Sequence, residues 1–586
     1  MEKIDLKYIW KILLKKRKIL ITGQLLTVIA ILISIPIPLM LPALVDEVLL
    51  GNPAFFVSSI NKIFGEGNEF YYIFIITVLV ILLRLLHLII SVLLTKIFTN
   101  ISKYITFRIR EKLLLHLKNV CMNEYESLGS GSITANLITD INTLDNFIMS
   151  GISKLVTSVL SLFAVAIVII MIHPLLGLMI IIIQPLIMYL SKRIVKKVGD
   201  LKKEENQAIS EFQDNIGESL DLFGQIKASN KEDYFFENAI SKAKNIQISS
   251  NKFSYKNVIY QKFSFTLFLI SFEVLRASGL LMVVYSDLSI GMMLAMFAYI
   301  WFIINPVNDI LSFQYFYSTA KAALNRINKI LQLKQEPRGI ESFNNKGLNI
   351  KLSNLNFSYN SGDKILSDIT INIKQGEKVA LIGASGSGKT TLAQIIAGFY
   401  TKDSGEITYN NISIENIDKK ELRKNLFLVL QMPILFNNTL RFNLTMGKEI
   451  KEETIYKVLE ITQLKDDVLL MKDNIDTIVG KHGIRLSGGQ RQRLSIARML
   501  IANPSVVIFD ESTSALDVHT EAKIFNNLEN ILKEKTVITI AHRLSTIKNA
   551  DIVYVLDKGK VIQSGNHNDL ELEEGHYLNF IKKQLI

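Results

Sequence analysis

The chain has 586 residues, more than one ordinary domain holds. Hydrophobic residues make up 49% and charged residues 20%, more apolar than a soluble enzyme of this length, so part of it is expected in a membrane. Net charge is +12, but many Lys and Arg residues flank apolar stretches, so the charge reads as membrane orientation and no nucleic-acid partner is expected. The single cysteine, Cys121, excludes an intrachain disulfide and supports no Cys-based metal site.

Residues 5–15 mix Trp10, Ile and Leu with Lys, which predicts an amphipathic helix on a membrane surface. Apolar runs follow at about 19–45, 70–95, 151–172, 174–194, 263–285 and 288–305. Each is near or above the ~20 residues that cross about 30 Å of hydrocarbon. The first is too long for a signal-peptide core, so no cleavable leader is expected. Pro36, Pro38 and Pro42 predict a kink in the outer half of span one.

Basic residues gather before span one (Lys15, Lys16, Arg17, Lys18), between spans two and three (Arg108, Arg110, Lys112), between four and five (Lys192, Arg193, Lys196, Lys197) and after six (Lys321, Arg326). The positive-inside rule then puts both termini in the cytoplasm. The two long inner connections, 97–150 and 195–262, read as helical hairpins. Their tips are expected near Gly129, Gly131, Gly217 and Gly224, at about 127–140 and 217–228, where they could meet a cytoplasmic domain. Arg84, His87, Glu273 and Arg276 fall near mid-span. Ionisable groups there face a cavity or a partner, so they are candidates for the substrate path; for Glu273 and Arg276, three residues apart, mutual pairing is favoured.

A polar stretch at 334–349 marks a linker, after which strands and helices alternate. The chain divides as a membrane α-helical domain (1–333), the linker, and an α/β P-loop ATPase domain (350–586). KVALIG (378–383) is a short apolar strand followed by Gly383, Ala384, Ser385, Gly386, Ser387, Gly388, Lys389, Thr390 and Thr391. This fits the phosphate-binding loop, between strand and helix, whose backbone N–H groups cradle phosphates. Lys389 is placed for the β- and γ-phosphates and Thr390 for Mg2+. VVIFD ends in Asp510, suited to Mg2+, and Glu511, suited to general base on a water.

The next segments carry a resemblance. LSGGQ (486–490), with Ser487, Gly488, Gly489 and Gln490, resembles the signature of ABC transporter ATPases. SALD resembles their D-loop, ending in Asp517; His542 resembles the switch histidine; Gln431 resembles the Q-loop glutamine. Tyr359 resembles the aromatic that stacks on adenine. The six-span half resembles the exporter-type membrane domain, so the resemblance covers nearly the whole chain. It implies a half-transporter whose two ATP sites form between two chains. Each site would take Lys389, Thr390, Gln431, Asp510, Glu511 and His542 from one chain and Ser487, Gly488 and Gly489 from the other. ATP and Mg2+ are the implied cofactors. A second copy of the chain is the expected partner, with a heterodimer as the alternative. Taken singly, Ser487 reads as a helix N-cap, Tyr359 as a strand aromatic, and Gln431 and His542 as ordinary residues.

One departure stands out. TIVGKHG (477–483) has Lys481 where the family often has an acid; Glu218 or Asp221 could compensate. The expected function is ATP-driven export or flipping of an amphipathic substrate, lipid, lipid-linked saccharide, peptide or drug, across a bacterial inner membrane. The alternative is an ATP-gated channel.

Overall fold

The structure, a computed structural model, describes residues 3–584 apart from 338, 343–346, 360–361, 481–482, 512–515 and 542. Within helices and strands the side chains of 181, 184–197, 264, 311, 518, 545 and 583–584 lie outside that description. Contacts divide the chain into two units, Met1–Leu115 with Gly131–Gln332, and His116–Ser130 with Leu333–Ile586. The segment 116–130 therefore groups with the C-terminal half, although it lies within 1–333.

The first unit is helical. It begins with α1 (Leu6–Leu14), α2 (Arg17–Ser34) and α3 (Pro36–Pro42). A π-helical turn, Ala43–Leu49, follows α3. Pro42 has no N–H to continue the ladder, and the wider turn accommodates that lost rung. After α4 (Phe55–Phe64) come α5 (Glu69–Leu117), α6 (Met122–Leu128), which groups with the second unit, and then α7 (Ser130–Ala135), α8 (Ile141–Asn146), α9 (Ser153–Ile172), α10 (Pro174–Asp221), α11 (Phe223–Ala228), α12 (Glu232–Tyr285) and α13 (Ile290–Gln332). The helices α5, α10, α12 and α13 have 49, 48, 54 and 43 residues. At ~1.5 Å per residue they are about 65–80 Å long, more than twice the thickness of a hydrocarbon core.

Among the described residues, five helical segments are long and apolar enough to cross a membrane. The remaining expected span, 174–194, falls in α10, where the side chains from 184 to 197 are outside the description. The hairpin tips differ from expectation in detail. Gly129, at φ +76°, ends α6, so the first tip is 122–128 and starts before the expected 127–140. Gly217 lies inside α10 and does not break it; the second turn comes at Leu222, before α11.

Tyr299, fully buried, centres a core with Ile169, Ile180, Leu275, Met296 and Ile300, and its hydroxyl donates to the Ile35 carbonyl. Asp140 is buried and accepts three hydrogen bonds from the Arg326 guanidinium. Asp145 accepts from Ser102 at 2.6 Å and Lys103 at 2.5 Å. At the other end Asp46 accepts from Ser289 at 2.5 Å and the Gly291 N–H at 2.8 Å.

The second unit holds two sheets. One has the order β2-β1-β4-β5, from Lys364–Ile373, Ile350–Ser358, Ser404–Tyr409 and Ile412–Ser413. The other has the order β10-β9-β3-β8-β7-β6, from Lys560–Gly565, Ile552–Asp557, Lys378–Gly383, Thr536–Ile540, Val506–Asp510 and Leu426–Val429. All pairs in the larger sheet are parallel except β9–β10. The strand β7 is buried along its length and β3 from Val379 onward, as apolar runs in a covered parallel sheet must be. A separate apolar core, with Leu435, Leu459, Leu486 and Leu494, holds the helical part that carries the helix Gly488–Ala502.

Candidate ATP site

Strands β3 and β7 flank β8 and run parallel, so their C-terminal ends reach the same edge of the sheet. That edge is where parallel α/β sheets bind ligands. After β3 the loop turns through Gly386 (φ +81°) and Gly388 (φ +95°) into α14 (Lys389–Ile396). At Gly383 an added Cβ would stand 2.1 Å from the Leu556 carbonyl oxygen, so a side chain is excluded there.

Lys389 is buried and donates to the carbonyls of Gly383 at 3.0 Å and Ala384 at 2.9 Å. Burial pushes its ammonium below the ordinary lysine value, while Glu511 and Asp510 act in the opposite sense. The buried Ser387 hydroxyl has no hydrogen-bond partner. An orphaned hydroxyl, a buried cation and a helix N-terminus together fit a phosphate chain.

Thr390 donates to Asp510 at 3.0 Å. The Gln431 amide donates to Glu511 at 2.5 Å. Thr390, Asp510 and Gln431 offer only oxygen ligands, the donor set a hard cation such as Mg2+ prefers. Among the described residues no group of three or more His, Cys, Asp or Glu could hold a metal by itself, so phosphate oxygens would complete the set. Glu511 takes φ +43°, a conformation non-glycine residues rarely adopt. Such strain often marks functional positions.

Ser487 caps its helix: its hydroxyl accepts from the Gln490 N–H at 3.1 Å, and the Gln490 side chain accepts from the Ser487 N–H at 2.9 Å. This reciprocal box places Gly488 and Gly489 in the first helical turn. Asp517 likewise caps the helix Val518–Leu532, accepting from Thr520 N–H at 2.9 Å. His542 and Lys481 lie outside the described residues.

Tyr359 is half-buried, and its hydroxyl lies 3.1 Å from that of Thr391. Its ring meets Tyr400 edge-on at 5.3 Å. The Tyr400 hydroxyl donates to both carboxylate oxygens of Glu126 at 3.0 Å, where Glu126 lies on α6. Asn119 and Cys121 exchange backbone hydrogen bonds with Glu336 and Lys334 at 2.8 and 3.0 Å, fixing that segment. Tyr400 and Glu126 escaped the sequence reading. Tyr400 ends the phosphate-loop helix run, but only its contacts distinguish it from core. In the first unit, Glu273 and Arg276 form an ion pair with each other; Arg84 is exposed and His87 half-buried on α5.

A family model described as the ABC transporter transmembrane region matches residues 21–307, and one described as ABC transporter matches 366–514. The chain is 31% identical, over 80% of its length and 82% of the relative's, to the ABC transporter ATP-binding protein YwjA of Bacillus subtilis. The chain belongs to the ABC transporter family. It joins the membrane region and the ATPase of an ABC exporter in one chain, and it is a multi-pass, ATP-hydrolysing membrane transporter. It is also 29% identical, over 83% of its length and 82% of the relative's, to a multidrug resistance ABC transporter ATP-binding and permease protein of Lactococcus lactis. The fold matches a bacterial Atm1-family ABC exporter with ATP bound, at TM-score 0.83 and 22% identity, covering 97% of this chain and 98% of that one.

Proposed function

We propose that two copies of this exporter close on two ATP molecules and drive an amphipathic substrate outward by alternating access, with both termini in the cytoplasm. The observation that carries this reading is the pairing of Thr390 with Asp510 and of Gln431 with Glu511 along one sheet edge. In that arrangement Lys389 exchanges its two loop carbonyls for β- and γ-phosphate oxygens. The orphaned Ser387 hydroxyl gains an acceptor. Tyr359 offers a ring face to adenine. Thr390, Gln431 and Asp510 would hold Mg2+, which neutralises phosphate charge when bound. Glu511 takes the proton of the attacking water, and Gln431 orients Glu511 until substrate is in place. The first helical turn after Ser487 presents N–H groups to the γ-phosphate of the partner's site.

The multidrug name of the Lactococcus relative supports a drug-like or lipid-like amphipath over a small polar solute. The exposed Arg84 favours one with an anionic group. The test is Glu511→Gln. Hydrolysis should fall by roughly 10²–10⁴-fold while ATP binding persists, trapping a closed dimer detectable by crosslinking. Unchanged turnover in that variant would overturn the assignment. Substrate-stimulated ATPase in proteoliposomes, screened over lipids, peptides and drugs, identifies the class; a conductance opened by ATP without turnover would favour the channel alternative.

A further inference from the structure

The helix α1 shows two different exposed stripes beside its buried one. Ile9, Ile12 and Leu13, with Ile4 just before them, are buried against the first unit. Leu6, Trp10 and Leu14, spaced four apart, are 39%, 54% and 47% exposed and form an apolar stripe. Lys7, Lys11 and Lys15, also four apart and exposed, form the stripe beside it. Between residues 3 and 18 there are seven basic residues and one acid, Asp5. The Asp5 carboxylate is engaged at 2.7 Å as the N-cap of α1. Three residues after the end of α1, at Arg17, a helical segment long and apolar enough to cross a membrane begins, so a bilayer crossed by that segment would have α1 beside its surface.

The helix is also tied to the long helices beside it. The Ile4 N–H donates to the Asn328 side-chain oxygen at 2.8 Å, and the Asn328 amide donates to the Ile4 carbonyl at 2.8 Å. Lys112 lies 4.0 Å over the Tyr8 ring, and Lys16 lies 4.9 Å over Tyr104. Asn328 stands near the end of α13, five residues before the chain enters the ATPase unit at Leu333.

We propose that α1 is a sensor of acidic lipid: Lys7 and Lys15 of its basic stripe, with the exposed Lys18 at the start of α2, bind anionic headgroups around the Trp10 anchor, and the Ile4–Asn328 clamp passes that state to α13 and so to the rate of ATP turnover. The charge of the lysine stripe is complementary to an anionic leaflet, and an exposed apolar stripe beside a basic one is the pattern of a helix that lies in a membrane surface. The inference goes beyond the export reading and does not depend on its substrate.

The chain has two tryptophans, so Trp301→Phe leaves Trp10 as the only indole. This full-length protein is placed in nanodiscs of phosphatidylcholine with phosphatidylglycerol, one or the other lipid brominated. Both leaflets then carry the same lipids, and orientation does not affect the result. Brominated phosphatidylglycerol should quench Trp10 more per molecule than brominated phosphatidylcholine. ATPase activity should rise severalfold over pure phosphatidylcholine. Each of Lys7→Gln, Lys15→Gln and Lys18→Gln should reduce the lipid preference by up to roughly fivefold. Asn328→Ala should keep the quenching preference and lose the activation. Equal quenching by the two lipids in the parent protein overturns the lipid assignment. Activation that survives Asn328→Ala, or preferential quenching without any activation, overturns the clamp as the relay.

Discussion

Glu511 carries a backbone cost. A non-glycine residue at φ +43° loses roughly 1–2 kcal/mol against an ordinary conformation. Glu511→Gly should therefore raise the melting temperature of the ATPase unit while abolishing hydrolysis, read by calorimetry and phosphate release on one sample. A lower melting temperature would remove strain from the account. Gly383 makes the opposite case. Its Cβ would meet a backbone oxygen, which cannot swing aside as a side chain can. Gly383→Ala should cost about 3 kcal/mol of stability and abolish ATP binding; a variant that melts and binds ATP like the parent would show that the loop relaxes freely. Sequence made the residue types at this site readable but not their geometry. Ser487 and Asp517 illustrate the limit, since each is a helix cap in the fold and a motif residue in the resemblance, and a cap alone would have explained both.

At the scale of elements, the apolar runs and the long helical connections were legible because a helix with apolar residues on every side leaves a plain compositional trace. That a tip near Gly129 would meet a cytoplasmic domain was an expectation from sequence; the segment 116–130 and its partners were not legible, because Glu336 and Tyr400 lie more than two hundred residues away in sequence. That contact makes a prediction. Tyr400→Phe and Glu126→Gln each remove the hydrogen bond, and substrate stimulation of the ATPase should fall in both by a similar factor, with little further loss in the double variant. Basal turnover should change far less; additive losses in the double variant would show that the two residues act separately. A second element has a pH signature. The helix Lys419–Asn425 begins with a buried lysine whose ammonium donates to Ile414 at 2.7 Å. Burial pushes Lys419 down to about 8. The folded state thus binds fewer protons than the unfolded one between about pH 8 and the ordinary lysine value of about 10.4. Burying the cation costs stability below that window, and the cost is relieved as pH rises through it. Thermal stability of the ATPase unit should gain from this group between pH 8 and 10, and Lys419→Met should flatten that gain. An unchanged slope would place the titration elsewhere.

For the whole molecule, the two-part plan was legible because membrane spans and nucleotide loops leave independent marks in sequence, and the family models match both parts. Dimerisation is a different kind of inference, since it rests on the site being incomplete in one chain. The phosphate loop belongs to the sheet core, and the signature helix belongs to the separate helical core. A chain with Lys389→Ala has a disabled phosphate loop and an intact signature. A chain with Ser487→Arg has the reverse. Each alone forms two dead sites. In a mixed head-to-tail dimer, one site combines both defects and the other combines both intact halves. Co-expression should therefore restore ATPase activity to roughly a quarter of the parent, because about half of randomly paired dimers are mixed and each has one good site. A monomeric site gives no recovery at any mixing ratio. Recovery that vanishes when the two chains are purified separately and mixed without subunit exchange would place the shared site within one stable dimer.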